Sequence, residues 1–237
     1  MKNLIVASTS TLYGGSFLEY LRPQLKIHFA SVQTLLFIPY ARPGGLSHDS
    51  YTQRVKEALA SLDIKVKGIH EADDPIEAIK NAEAIFIGGG NTFVLLDQLY
   101  KNNLLQPLRD VIQNGIPYLG TSAGSNVVGL TVKTTNDMPI VHPYSLDALG
   151  VIPFNINPHY LDPDPNSKHN GETRETRIAE FHQFNRSTVI GLREGSWIDV
   201  NGGSMMLRGP FSARIFQPNS VPYEFKSGDD FSVLIGD

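Results

Sequence analysis

Short apolar runs separated by helix-like periods dominate the first half of the chain. Leu4-Ile5-Val6-Ala7, Thr34-Leu35-Leu36-Phe37-Ile38-Pro39 and Ala84-Ile85-Phe86-Ile87 are rich in branched and aromatic residues. Such runs fit strands buried on both faces. Ile64-Lys65-Val66-Lys67-Gly68-Ile69 reads as another strand, and Tyr118-Leu119 closes the series. Between the runs the spacing is helical. Val55, Ala58, Leu59 and Leu62 share one side of a helix over 50–62. Asp74-Pro75 sets a capping side chain before a proline at the first turn of the next helix. Further helices are expected from about Thr92 and over 104–113. Strands alternating with helices predict an α/β fold, a three-layer, doubly wound and mostly parallel sheet with helices on both faces. Ligands of such sheets sit beyond the carboxyl ends of the strands.

The second half is less regular. Residues 162–167 (Asp-Pro-Asp-Pro-Asn-Ser) form a loop by their turn chemistry, and 172–184 reads as a helix. From Thr188 onward short strands alternate with Gly, Asn and Pro turns, which predicts an antiparallel C-terminal extension of the same core. No repeat or linker interrupts the chain, so residues 1–237 are expected to form a single α/β domain.

Composition narrows the function classes. A chain of 237 residues can bury roughly 70–75% of its unfolded surface. A net charge of −4 without Lys/Arg runs offers no electrostatic case for nucleic acid or an anionic membrane. No apolar stretch approaches the ~20 residues of a membrane span. The N-terminal residues are too quickly polar for a signal peptide, so a cytoplasmic location is expected. The absence of cysteine removes disulfides, thiolate nucleophiles and cysteine zinc sites together. No His-Glu-x-x-His and no tight His/Asp cluster occurs in the sequence, so neither metal nor cofactor is expected.

The chemistry centres on Ile116-Pro117-Tyr118-Leu119-Gly120-Thr121-Ser122-Ala123-Gly124-Ser125. An apolar run ends in Gly-x-Ser-x-Gly and enters residues that can start a helix, the layout of a nucleophile elbow around Ser122. The plainer alternative is that Ser122 only caps that helix. A serine nucleophile needs a base. Among seven histidines, His142 and His159 border prolines in the irregular middle region, and His159 is the favoured candidate. The base needs an acid to hold its tautomer. Asp137 and Glu194 both qualify, and spacing does not choose between them; their alternatives are an Asx turn and a solvated turn residue. Gly88-Gly89-Gly90-Asn91 is a strand-to-helix turn suited to phosphate or to an oxyanion hole. Without a Walker lysine or Gly-x-Gly-x-x-Gly, the oxyanion reading is preferred, with amides of Gly89, Gly90 and Ala123 as donors.

Several blocks, taken in order, resemble the peptidase E family, the alpha-aspartyl dipeptidases of the S51 serine peptidases. They are Gly88-Gly89-Gly90-Asn91-Thr92-Phe93, Ser122-Ala123-Gly124, Thr134-Thr135-Asn136-Asp137-Met138-Pro139-Ile140-Val141, Ile156-Asn157-Pro158-His159, Gly171-Glu172-Thr173-Arg174-Glu175, and Gly191-Leu192 with Glu194-Gly195 and Trp197. The resemblance implies a flavodoxin-like fold similar to the class I glutamine amidotransferases. It implies metal-free hydrolysis of small peptides with an N-terminal aspartate, by a monomer or homodimer. It also implies Ser122 as nucleophile, His159 as base, Asp137 or Glu194 as the third member, Arg174 as the aspartate-binding residue and Asn91 as a substrate contact. An ion pair with Glu172 or Glu175 is the plain reading of Arg174. Rival functions are an α/β-hydrolase esterase, which runs Ser, acid, His in chain order, a cyanophycinase-like serine peptidase, and a non-catalytic small-molecule sensor.

Overall fold

The computed structural model describes residues 1–164, 166, 168 and 170–234. Pro165 and Ser167 of the expected 162–167 loop lie outside the described residues. In chain order the elements are β1 (Asn3–Ala7), α1 (Arg22–His28), β2 (Thr34–Ile38), α2 (His48–Leu59), β3 (Lys65–Gly68), α3 (Pro75–Lys80), β4 (Ala84–Ile87), α4 (Thr92–Lys101), α5 (Leu105–Gln113), β5 (Tyr118–Thr121) and α6 (Ala123–Asn126). They continue with β6 (Asn155–Pro158), α7 (Arg174–Phe181), β7 (Val189–Leu192), β8 (Trp197–Asn201), β9 (Ser204–Arg208), β10 (Ala213–Phe216) and β11 (Tyr223–Phe225).

The first five strands pair in parallel, in the order β3-β2-β4-β5-β1, and β8 and β9 extend the sheet antiparallel beyond β1. The expected C-terminal extension is divided between two sheets on the same core. β7, β10 and β11 join β6 in a second, four-stranded sheet of order β11-β10-β7-β6. Asn155-Ile156-Asn157-Pro158 reads as irregular in sequence because asparagine and proline are turn formers. Asn155 and Asn157 are nevertheless buried: the Asn155 side-chain amide exchanges hydrogen bonds with Thr131, and Asn157 Nδ2 donates to the Thr134 carbonyl and to Asn136.

Side chains alternate across the first sheet as the period-two geometry of strands requires. Ile5, Leu35, Phe37, Phe86 and Leu119 pack beneath α1 and α2 against Leu25, Tyr51, Val55 and Leu59. Leu4, Val6, Ile38, Ile85 and Ile87 face the other way, toward Leu95 and Leu99 of α4 and Leu108 and Ile112 of α5. That second cluster runs on into Ile156, Ile190 and Leu192, so one apolar core joins the two sheets. Asp74 caps α3 through the amides of Ile76 and Glu77, as its sequence predicts. Helix α1 carries no readable period, since Leu25 is its one buried residue.

Two registers set the functional geometry. β5 lies between β4 and β1, with Gly120 opposite both Ile87 and Val6. Ser122 thus leaves the sheet between the 88–90 turn and the end of β1. In the second sheet, Pro158 of β6 sits beside Leu192 of β7. Parallel strands ending in register deliver the residues that follow them, His159 and Glu194, to one rim.

The elbow depends on a close approach. A Cβ on Gly124 would collide with the Ile87 carbonyl oxygen, and the Tyr118 hydroxyl donates to the Gly124 carbonyl at 2.7 Å. Gly124→Ala is expected to destabilise the protein by at least ~1–3 kcal/mol through overpacking against backbone. Thermal melting followed by circular dichroism checks this, and an unchanged midpoint would contradict the close-approach argument.

His28 on α1 donates Nε2–H to the Tyr118 carbonyl at 3.1 Å, and burial pulls its pKa from 6.5 down to about 4. The unfolded chain therefore takes up this proton at higher pH than the folded one. The stability associated with His28 is complete above pH 6.5 and drains away as pH falls toward about 4. His48, lowered by burial and by the neighbouring His70, acts in the same direction. His28→Gln is expected to flatten the pH dependence of the unfolding free energy across that window, measured by urea titration at several pH values.

Candidate active site

Ser122 follows β5 at φ 54°, ψ −109°, a conformation foreign to most L-residues. Its amide donates to the Ala7 carbonyl at 3.1 Å, and its carbonyl accepts from the amides of Ser125 and Asn126. It occupies the N-cap position of α6, yet its hydroxyl caps nothing. Helix α6 is one short turn, Ala123–Asn126, so the local amides matter here more than a helix dipole.

The Ser122 hydroxyl meets His159 Nε2 at 2.8 Å, and His159 Nδ1 meets Glu194 Oε1 at 2.5 Å. A carboxylate only accepts, so the Glu194 contact places the imidazole proton on Nδ1 and leaves Nε2 to accept from the serine. Ser122 and His159 are half-buried, and Glu194 is exposed. His159 itself is left-handed, at φ 53°. Its amide donates to the buried Ser8 hydroxyl at 2.8 Å, a contact with no signal in the sequence pattern.

Asp137 is not part of this chain. Its Oδ2 accepts from the Thr92 amide at 2.7 Å and from the Thr135 hydroxyl at 3.1 Å, at the start of α4. Both imidazole nitrogens of His159 are already engaged elsewhere, so the expectation of Asp137 beside His159 is replaced by Glu194. The order along the chain is then Ser122, His159, Glu194, unlike the Ser, acid, His order of α/β-hydrolases. His142 is exposed on a separate loop.

The 88–90 turn lies against the serine. An added Cβ on Gly89 would come within 3.0 Å of Ser122 Cβ, and one on Gly90, at φ 147°, would strike the Ala41 carbonyl. The Tyr51 hydroxyl donates to the Gly89 carbonyl at 3.2 Å, and the Asn91 amide donates to Ala41 at 2.7 Å. Among the described residues, the amides of Gly89, Gly90 and Ala123 have no hydrogen-bond acceptor. Asn91 caps α4, its Oδ1 accepting from the Val94 amide at 3.1 Å, while its Nδ2 donates to the Met138 carbonyl at 2.9 Å. Its side chain holds the 137–138 strap to the glycine turn.

Arg174 opens α7, which Thr173 caps. Neither expected ion pair forms. Glu175 pairs with Arg214 at 3.1 Å, and Glu172 lies 3.8 Å from Arg177. Arg174 has no hydrogen bond or ion pair among the described residues, although it is half-buried. Burial, then Arg177, lowers its pKa, while Glu194 and Tyr160 act in the opposite sense, which puts it within electrostatic reach of the site. Arg193, by contrast, is fully engaged, bound bidentately to Asp162 and Glu224. Those contacts raise the Arg193 pKa, and they outweigh burial to hold Glu224 at about 2.

The sequence suggests no metal-binding cluster, but the fold makes a small one. Donor atoms of Asp49, His70 and Glu71 lie within 4.8 Å of one another. They already partner protein groups, His70 with Asp49 at 2.9 Å and Glu71 with Lys56 at 3.5 Å. Among the described residues, no helix is long and apolar enough to cross a membrane.

Comparison with known proteins gives the family and the fold. The chain is 46% identical over 233 residues to Peptidase E of Streptomyces coelicolor, covering 98% of this chain and 95% of the relative. It is 45% identical over 237 residues to a probable alpha-aspartyl dipeptidase of Drosophila melanogaster, covering 99% and 98%. Peptidase E of Escherichia coli is 42% identical over 231 residues, covering 96% and 99%. A crystal structure of a peptidase from an acI-B1 Actinobacterium shares the fold at TM-score 0.72 and 20% identity, over 97% of this chain and 96% of that one. A putative Peptidase E from Listeria monocytogenes shares it at TM-score 0.67 and 22% identity, over 89% and 100%. The sequence profile of Peptidase family S51 matches residues 4–208. An elbow serine joined through an imidazole to a glutamate, on a chain matched over this length, means that the protein belongs to peptidase family S51.

Proposed function

We propose that this chain is a serine dipeptidase that cleaves dipeptides with an N-terminal aspartate, through an acyl-enzyme on Ser122. The observation that carries the reading is the continuous hydrogen-bonded chain from Glu194 through His159 to Ser122, beside unengaged backbone amides. His159 takes the hydroxyl proton as Ser122 Oγ attacks the peptide carbonyl carbon. Negative charge builds on the carbonyl oxygen and is met by the amides of Ala123 and of Gly89 or Gly90. Glu194 stabilises the imidazolium and holds its tautomer. The imidazolium then protonates the leaving amine as the C–N bond breaks. Water, deprotonated by His159, clears the aspartyl ester and restores the serine.

Selectivity is assigned to Arg174. A guanidinium fork matches a planar carboxylate bidentately, and the lack of a protein partner among the described residues leaves it available for one. Its partial burial strengthens that attraction and penalises a neutral amide in the same place. A glutamate substrate, one methylene longer, displaces the scissile carbonyl, and ~1 Å of misplacement costs roughly 100-fold in rate. Asn91 acts through the fold, by holding the Met138 strap against the glycine turn.

A panel of X-Leu dipeptides varying only the first residue tests the reading. Wild type is expected to prefer Asp-Leu strongly over Asn-Leu and Glu-Leu. Ser122→Ala is expected to lose at least ~1,000-fold in turnover with its fold intact, and Arg174→Lys to lose ~10-fold or more of the Asp preference. Near-normal cleavage by Ser122→Ala would remove the nucleophile assignment. A second comparison addresses the acid. Glu194→Gln is expected to reduce kcat by ~100-fold or more, whereas Asp137→Asn, at the start of α4, is expected to lower the melting temperature and reduce kcat far less. The reverse ranking of the kcat values would return the orienting role to Asp137.

A further inference from the structure

Ser8 follows β1 and is fully buried. Its hydroxyl accepts from the His159 amide at 2.8 Å and donates to the Leu192 carbonyl at 2.7 Å. Its own amide donates to the Ser196 carbonyl at 3.1 Å. Leu192 is the last residue of β7, and its carbonyl also accepts from the Tyr160 amide at 3.1 Å. The Ser8 hydroxyl is therefore inserted where the β6–β7 ladder opens, bridging an amide on one strand's exit to a carbonyl on the other's. The residue before it, Ala7, accepts from the Ser122 amide at 3.1 Å and from the Ser125 hydroxyl at 2.6 Å. Two consecutive residues of β1's exit thus hold the backbone of Ser122, on the first sheet, and of His159, on the second.

We infer that Ser8 is a positioning residue that sets the His159 imidazole against Ser122 and Glu194 by pinning the second sheet to the first. The inference rests on the proposed serine mechanism. His159 is held at positive φ, a conformation unfavourable for a residue with a side chain and retained only when its surroundings determine it. The His159 amide has Ser8 as its acceptor, and the next amide, of Tyr160, belongs to Leu192. Losing the Ser8 bond frees the backbone of His159 to relax while Ser122 stays fixed to Ala7. The distance from Nε2 to Oγ changes, and with it the rate of proton transfer. Only a small group that both donates and accepts fits this buried position, which a serine hydroxyl does.

The test compares Ser8→Ala with wild type in kcat and KM for Asp-Leu and in the rate of inactivation by a fluorophosphonate, which reports Ser122 reactivity without the aspartate pocket. The expected result is a fall in kcat and in inactivation rate of about 10- to 100-fold, with KM within about threefold because Arg174 is untouched. Thr134→Val is the control. It removes an equally buried hydroxyl bond to β6, at the Ile156 carbonyl (3.0 Å), without touching His159. A folded Ser8→Ala protein with wild-type kcat and inactivation rate overturns the inference, and so does an equal loss in Thr134→Val. Should Ser8→Ala fail to fold, Ser8→Cys carries the same measurement, since a thiol keeps the volume but donates and accepts weakly. Wild-type rates in Ser8→Cys then overturn the inference. A wild-type chain that reacts at Ser122 yet leaves Asp-Leu intact overturns the substrate reading alone, because the inactivation rate still judges Ser8.

Discussion

The imidazole of His159 bridges the two sheets. Its Nε2 meets a serine carried by the seven-stranded sheet, and its Nδ1 meets a glutamate that follows a strand of the four-stranded sheet. Those contacts require the sheets to hold a fixed relation within a few tenths of an ångström. The shared apolar core supplies the bulk cohesion, but burial is non-directional and sets no such distance. Directional bonds do: Ala7 to Ser122, Ser8 to His159 and Leu192, and Asn136 to the Pro158 carbonyl at 2.7 Å.

The same rim holds strained backbone. Ser122 and His159 both sit at positive φ, and Gly90 lies at φ 147° against the Ala41 carbonyl. Strained residues of this kind cost about 1–3 kcal/mol each and persist where packing and hydrogen bonds over-determine them. Here the determinants are identifiable. Gly124 packs on Ile87, Tyr51 supports Gly89 from below, and Asp137 and Asn91 fasten the start of α4. The turn that lies against Ser122 is thereby held with the amides of Gly89 and Gly90 unspent among the described residues.

Among the described residues, Arg174 forms no ion pair while Arg193 and Arg214 do. Arg193 and Arg214 are absorbed by Asp162, Glu224 and Glu175, a network that ties the segment after His159 to β7, β10 and β11. Its two arginines are only partly exposed and each meets more than one carboxylate, so its geometry is better defined than that of a lone surface pair. The network engages Glu175, the residue that follows Arg174 in sequence. The guanidinium beside the site keeps its capacity for a ligand carboxylate because the neighbouring acids are committed elsewhere.

Much of this was legible in the sequence. Local rules sufficed wherever the signal is contiguous: apolar runs for β1, β2, β4 and β5, an Asp-Pro cap for α3, and glycines around Ser122 for the elbow. His159 was marked only by a bordering proline in an irregular region, a signal His142 shares, and its contact with Ser122 emerges only in the fold. Asn155–Pro158 was hidden because its buried asparagines mimic a loop, and their partners lie twenty or more residues away. The choice between Asp137 and Glu194, the freedom of Arg174 and the part of Ser8 were decided only in three dimensions. Each depends on strand register and on which donor reaches which acceptor across two sheets, and no local propensity encodes a hydrogen bond between residues 151 positions apart.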